Sequence, residues 1–194
     1  MLCKAVYLAL GSAIVVTTCG CPADRIHPEP PASESPQKPM AESTPPPQAP
    51  RESTRVDLSA ALSAFAPGWM AKDCGAEMSP GIRDERGKQN VLVTHPLSET
   101  MPCVLGRRVD IVPDKQTTLR LVVGHHPEGD WLLIVTADRE LVRQVIGKET
   151  TTDGWASIDV DLSEYAGRII TLQLINAANG WSHEAAYWAR IAIE

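Results

Sequence analysis

From residue 90 to the C-terminus, apolar side chains recur at about every second position, the period of a strand that buries one face. Asn90 to Thr94 opens the series and stops before Pro96. Val109 to Val112 alternates and stops at Pro113. Thr118 to Val123 places Leu119, Leu121 and Val123 on one face. Trp131 to Thr136 follows a turn at Pro127-Glu128-Gly129, and Leu141 to Ile146 is expected to pair with it across Ala137 to Glu140. After a turn at Asp153-Gly154, Ile158, Val160 and Leu162 alternate with Asp159 and Asp161 along Trp155 to Leu162. Ile169 to Asn176 is the most apolar stretch and is expected at the centre of a sheet. Ala186 to Ile193 closes the chain.

About eight short strands with turn signals every ten to fifteen residues, and no long helix between them, predict an all-β fold. The expected architecture is an antiparallel β-sandwich, a jelly roll. One short helix is expected before the strands, Leu58 to Phe65. Asp57 stands at its start, Ala60, Ala61 and Ala64 lie within it, and Pro67-Gly68 ends it.

The N-terminus follows a different pattern. Lys4 is followed by an uncharged apolar stretch, Ala5 to Val16, shorter than the roughly 20 residues of a membrane span. Thr17-Thr18-Cys19-Gly20-Cys21 comes next and resembles the lipobox of bacterial lipoproteins. The resemblance implies a lipid on the new N-terminal Cys, and Gly20 before it favours Cys21 over Cys19. The alternative is ordinary signal cleavage near the same point and a free, secreted product. Residues 22–55 hold ten of the sixteen prolines and no aromatic residue. Such a segment buries too little apolar surface to offset its ordering entropy, so a disordered, extended tether is expected. At about 3 Å per residue it reaches roughly 100 Å. The organisation is therefore an export signal at 1–21, a Pro-rich linker at 22–55 and a β-sandwich domain at 56–194, an extracytoplasmic protein held to a membrane by its lipid or secreted.

Charge and cysteines narrow the partners. The formal net charge is −6. A basic face is what phosphate recognition needs, so no nucleic-acid partner is expected. Cys74 and Cys103 are the cysteines beyond the export signal. In an oxidising compartment they are expected to form a disulfide closing a loop of about 30 residues, with two free thiols as the alternative.

Several stretches resemble the galactose-binding-like jelly-roll modules. They are His95-Pro96, Gly129-Asp130-Trp131, Trp155 with Val160-Asp161-Leu162-Ser163-Glu164-Tyr165-Ala166-Gly167, Asn176 to Trp181, and Glu184 to Ile191. Within that group the chain is similar to the carbohydrate-binding module of the glycoside hydrolase family 98 type found in secreted planctomycete proteins. The resemblance spans residues 68–194 and implies a non-catalytic module. Members commonly bind glycans through loops at one end, some with a structural calcium ion. No set of glycan-contact residues matches here residue by residue.

Glycan binding uses flat aromatic faces with amides and carboxylates placed for hydroxyl groups. Trp181, in the Gly- and Asn-rich stretch from Asn176 to Glu184, is the leading candidate, with Asn179, His183 and Glu184 beside it. The competing expectation is that Trp181 plugs the end of the sandwich. Trp131, Trp155 and Trp188 lie on or beside strands and are expected to pack there; Tyr187 completes the aromatic set.

The remaining chemistry is thin. Adjacent His125 and His126 would point to opposite faces of a strand, and His183-Glu184 lacks the second histidine of a zinc-protease helix. No transition-metal site is therefore expected. Asp130, Asp153, Asp159, Asp161 and Glu184 are the oxygen donors that would suit calcium. No nucleophile elbow, phosphate loop or Cys–His arrangement is present, so no enzyme is expected. Two functions follow: an envelope-anchored glycan-binding module, or a structural or protein-interaction domain without a small ligand.

Overall fold

A computed structural model describes residues 53–194. The expected export signal, with Cys21, and most of the Pro-rich linker lie outside the described residues. The linker's last residues do not: Ser53 N–H donates to Leu97 O and Thr54 O accepts from Ala76 N–H, each at 2.7 Å. Arg55 forms a β-bridge with Gly75. Ser53 to Arg55 thus belong to the folded part, ahead of the boundary at residue 56.

One helix, α1 (Ser59–Phe65), is followed by β1 (Met70–Lys72), β2 (Gly81–Glu85), β3 (Lys88–Thr94), β4 (Cys103–Asp110) and β5 (Thr118–His125). Then come β6 (Trp131–Ala137), β7 (Arg139–Ile146), β8 (Trp155–Asp161), β9 (Ile169–Ala177) and β10 (Ala186–Ile193). They form two five-stranded sheets, β1-β4-β9-β6-β7 and β2-β3-β10-β5-β8, and every pairing is antiparallel. The inner orders β4-β9-β6-β7 and β3-β10-β5-β8 are the two sheets of a jelly roll, each extended at one edge by β1 or β2. The all-β sandwich read from the period is the fold.

Alternation decides which face is buried. Trp131, Leu133, Val135 and Ala137 of β6 are buried, and so are Ile170, Leu172, Leu174 and Asn176 of β9. Leu119, Leu121 and Val123 face them from β5. β9 is the middle strand of its sheet, as its apolar composition predicts. β10 keeps its apolar residues inside by a bulge between Trp188 and Arg190. Ala186 and Trp188 are core before it, Ile191 and Ile193 pack on the core after it, and the one-residue slip corrects the parity.

The core is built around two tryptophans. The Trp131 and Trp188 rings lie 5.2 Å apart, and both indole N–H groups are satisfied. Trp131 Nε1 donates to Gly124 O at 2.9 Å and Trp188 Nε1 to Thr94 Oγ1 at 3.0 Å. At one end Tyr165, held in a short 3-10 turn (Ser163–Tyr165), donates its hydroxyl to Ala137 O at 2.7 Å. Asp161 Oδ1 accepts from Ser163 N–H at 2.9 Å and shapes that turn. α1 begins one residue later than expected, with Asp57 Oδ1 accepting from Ser59 N–H at 2.9 Å. Leu62 of α1, with Leu58 before the helix and Ala66 and Trp69 after it, packs into the core. A disulfide joins Cys74 to Cys103, across a sequence separation of 29 residues.

Candidate functional site

In this topology the β3–β4 (95–102), β5–β6 (126–130), β7–β8 (147–154) and β9–β10 (178–185) connections collect at one end of the sandwich. All four expected ligand residues, Trp181, Asn179, His183 and Glu184, lie in the last of these loops.

The loops are tied together by polar side chains. Buried His125, at the end of β5, places Nδ1 2.6 Å from His126 O and 2.8 Å from Gly129 O. Its Nε2 lies 3.1 Å from Thr151 Oγ1, which clamps the β5–β6 loop to the β7–β8 loop. Asn179 Nδ2 donates to Asp130 Oδ1 at 3.1 Å and links the β9–β10 loop to β5–β6. Gly129 allows a closer contact, since a Cβ there would meet His183 O at 2.4 Å.

Glu184 is turned inward and is only 1% exposed, so it does not present its carboxylate to a surface ligand. Its two oxygens accept from the N–H groups of Asn179 and Gly180, each at 2.9 Å. Burial raises its pKa, and the N–H groups of Asn179, Gly180 and Ser182 pull in the opposite direction. The residue shapes the loop. Beside it, buried Asn176 spreads its Nδ2 over Thr94 O, Thr94 Oγ1 and Glu184 O at 3.3–3.4 Å.

Trp181 is half-buried and meets buried His95 edge-on, with ring centroids 5.4 Å apart and planes at 73°. His95 Nδ1 lies 2.8 Å from Pro96 O. Burial lowers the His95 pKa, against the pull of the Pro96 carbonyl and of Glu77. Trp181 is thus neither the fully closed plug nor a free-standing platform; it stays accessible at the rim.

His183 stacks on His126, with centroids 4.6 Å apart and planes within 7° of parallel. Burial, followed by the neighbouring His183, lowers the His126 pKa. Glu128 Oε2 lies 3.8 Å from His183 Nε2. Sequence reasoning had the His183 loop but not this cluster, because His126 and Glu128 come from a different connection. The pattern Pro127-Glu128-Gly129 after a buried strand end was the available signal: a tight turn carrying two donor residues outward.

Two clefts open at this end. One, of about 370 Å³, is bounded by Glu128, Gly129, Asp130, Gly147 and Thr150 among others. The second, of about 310 Å³, is bounded by Arg86, His125, Thr151, Asp153 and Gly154, and the two share Pro127 and Lys148.

The other candidates are elsewhere. Trp131 and Trp188 are core, and Trp69, which the sequence reading left out of the aromatic set, is buried too. Trp155 and Tyr187 lie on the outer face of the β2-β3-β10-β5-β8 sheet, rings 6.4 Å apart, with Lys88 Nζ 5.3 Å from the Trp155 centroid. Of the oxygen donors weighed for calcium, Asp161 serves the 3-10 turn and Asp159 pairs in register with Arg120 on β5. Asp130 and Glu184 are neighbours, but the five do not converge. Among the described residues, the one trio whose donor atoms do converge is His126, Glu128 and His183.

No family model and no curated protein sequence matches the chain. Solved structures do. An apo-form cyclase from Fischerella sp. is 15% identical, covering 78% of this chain and 90% of its own, at a TM-score of 0.38. A CBM35 from Paenibacillus barcinonensis is 9% identical over 66% of this chain and 92% of its own, at 0.40. The K1 cleaved adhesin domain of Lys-gingipain from Porphyromonas gingivalis is 14% identical over 66% and 83%, at 0.42. With each of these TM-scores below 0.5, no ligand or activity passes from these proteins to this chain.

Proposed function

We propose that the chain is a non-catalytic, extracytoplasmic module that binds a glycan at the loop-built end of its jelly roll. In this reading the module is anchored to the cell envelope by a lipid on Cys21 and a Pro-rich tether. The observation that carries it is Trp181, which stays partly exposed at the rim while it meets His95 edge-on. It shares the β9–β10 loop with Asn179, whose amide reaches Asp130 at the larger cleft. An aromatic ring with amide and carboxylate groups nearby is the pattern sugar rings select. The resemblance to the family 98 type of module gives the same direction from sequence. Glu184 has no direct part; it fixes the loop that presents Trp181.

The test is binding of the full chain to a panel of soluble polysaccharides, with Trp181→Ala beside the wild type. Binding of at least one polysaccharide class, weakened about tenfold or more in Trp181→Ala, supports the reading. A tenfold loss is about 1.4 kcal/mol, the scale of one aromatic contact. Silence across all classes, or binding indifferent to Trp181, overturns it. A second reading, a structural or protein-interaction domain, draws on the outer face of the other sheet. Met70 is 72% exposed and Ile169 56% exposed there. Silence on glycans together with a protein partner lost in Met70→Glu would favour that reading.

A further inference from the structure

We propose that His126, Glu128 and His183 form a three-ligand site for a divalent transition ion of the zinc type, where the β5–β6 and β9–β10 loops meet. One nitrogen of each imidazole and one Glu128 oxygen all lie within 4.8 Å of one another. Two imidazoles with one carboxylate is a donor set that borderline ions select, whereas calcium and magnesium take oxygen alone.

The remaining distance is small. A tetrahedral ion at 2.0–2.1 Å from each ligand needs its donors about 3.4 Å apart. His183 Nε2 and Glu128 Oε2 are already at 3.8 Å. The Glu128 side chain is 75% exposed, so it can rotate without disturbing the core. The His126 ring must turn. Parallel rings cannot both aim an in-plane lone pair at one ion between them, and His126 Nδ1 now faces the Glu128 N–H at 3.2 Å. His183 is better prepared, because Ser182 Oγ sits 3.0 Å from its Nδ1 and leaves Nε2 towards Glu128. An outer partner of this kind fixes the ring of a metal-bound histidine. The backbone needs no rearrangement, since Gly129 already holds the two loops in contact.

Three protein ligands leave a fourth position open to water or to an oxygen of another ligand. Glu128 also borders the larger cleft. The inference stands apart from the glycan reading, because an ion can be held here with no sugar bound.

The experiment titrates metal-stripped full chain with Zn2+ by calorimetry and with Co2+ by visible absorption. One saturable equivalent is expected, with cobalt d–d bands of nitrogen and oxygen coordination. Two variants separate ligation from folding. His126→Phe keeps a ring to stack on His183 but offers no donor, and Glu128→Gln alters an exposed side chain. Each should weaken Zn2+ binding by more than about tenfold, the least that losing even an outer partner costs, with an unchanged circular dichroism spectrum. If His126→Phe misfolds, Glu128→Gln decides alone. No binding by the wild type, or one equivalent that survives Glu128→Gln, overturns the proposal. Polysaccharide is absent throughout, so the result is independent of the test of Trp181.

Discussion

Gly129 and His183 touch through their backbones: a Cβ built on Gly129 would stand 2.4 Å from the His183 carbonyl oxygen and 2.5 Å from its Cβ. No real Cβ tolerates that approach, so one of the two loops has to move when any other residue stands at 129. Gly129→Ala is therefore expected to destabilise the domain by about 1–3 kcal/mol, the range for overpacking a filled site. It should also carry His183 away from Glu128. Gly106→Ala is the control, since a Cβ there meets nothing within 4 Å. Denaturant unfolding gives the first quantity. Backbone amide shifts of residues 126–130 and 179–184 give the second, and a change spread over the whole domain, or none, would count against the contact.

The parts of this structure that were legible in the sequence are those where one physical rule acts alone. β6 and β9 bury alternate residues without exception, and period two located both. β2, Gly-Ile-Arg-Asp-Glu, sits at a sheet edge with no fully buried residue, so it has no contrast for periodicity to detect. β1 has three residues and the same difficulty. β4 was read only from Val109, because Gly106, Arg107 and Arg108 break the alternation. Arg107 reaches Gly68, where its guanidinium lies 3.5 Å from the position a Cβ would take. Residue 68 has φ of +86°, so it is the backbone conformation, not side-chain space, that favours glycine there.

The candidate site divides in the same way. Trp181, Asn179, His183 and Glu184 share one loop whose composition marks it, and their nearness was readable. Their partners His95, His126, Glu128 and Asp130 arrive from other loops. Only the jelly-roll order brings those connections to one end, and no local pattern states which side chains then meet. Glu184 shows the limit from the other side: a carboxylate in a binding-like loop turned out to satisfy that loop's own N–H groups.

His95 gives the domain a pH dependence of definite sign. Burial lowers its pKa below the ordinary value of 6.5, with the Pro96 carbonyl and Glu77 opposing. The unfolded chain takes up its proton near pH 6.5, and the folded chain takes it up only lower. Between those two points the unfolded state binds more protons, so stability falls as pH drops, by at most about 1.4 kcal/mol per unit for this one group. Well above pH 6.5, where both states have lost the proton, the group contributes no slope. His126, also lowered by burial, acts in the same direction. His95→Asn should therefore flatten the acid limb of a stability–pH curve without abolishing it. Denaturant midpoints from pH 5 to 8 measure this, and an unaltered limb in the variant would show that His95 is not held neutral.

Gly124 and Trp155 test how the outer sheet face is built. They are register partners on β5 and β8, and the indole lies over the glycine. A Cβ on Gly124 would meet the Trp155 ring at 2.8–2.9 Å and Gly154 O at 2.7 Å. Trp155 Nε1 also donates to Arg86 O at 3.2 Å, and Arg86 packs against Gly154. An aromatic ring laid across a strand glycine shields backbone that would otherwise be open to water. Gly124→Ala should cost about 1–3 kcal/mol, because both the ring and the Gly154 carbonyl must give way. Once Trp155→Ala has removed the ring, the contact with the Gly154 carbonyl at 2.7 Å remains but the two ring contacts are gone, and the penalty should shrink. The two substitutions are thus expected to be non-additive, with a coupling of about 0.5–3 kcal/mol in a double-mutant cycle. Strict additivity would mean that Trp155 does not rest on Gly124.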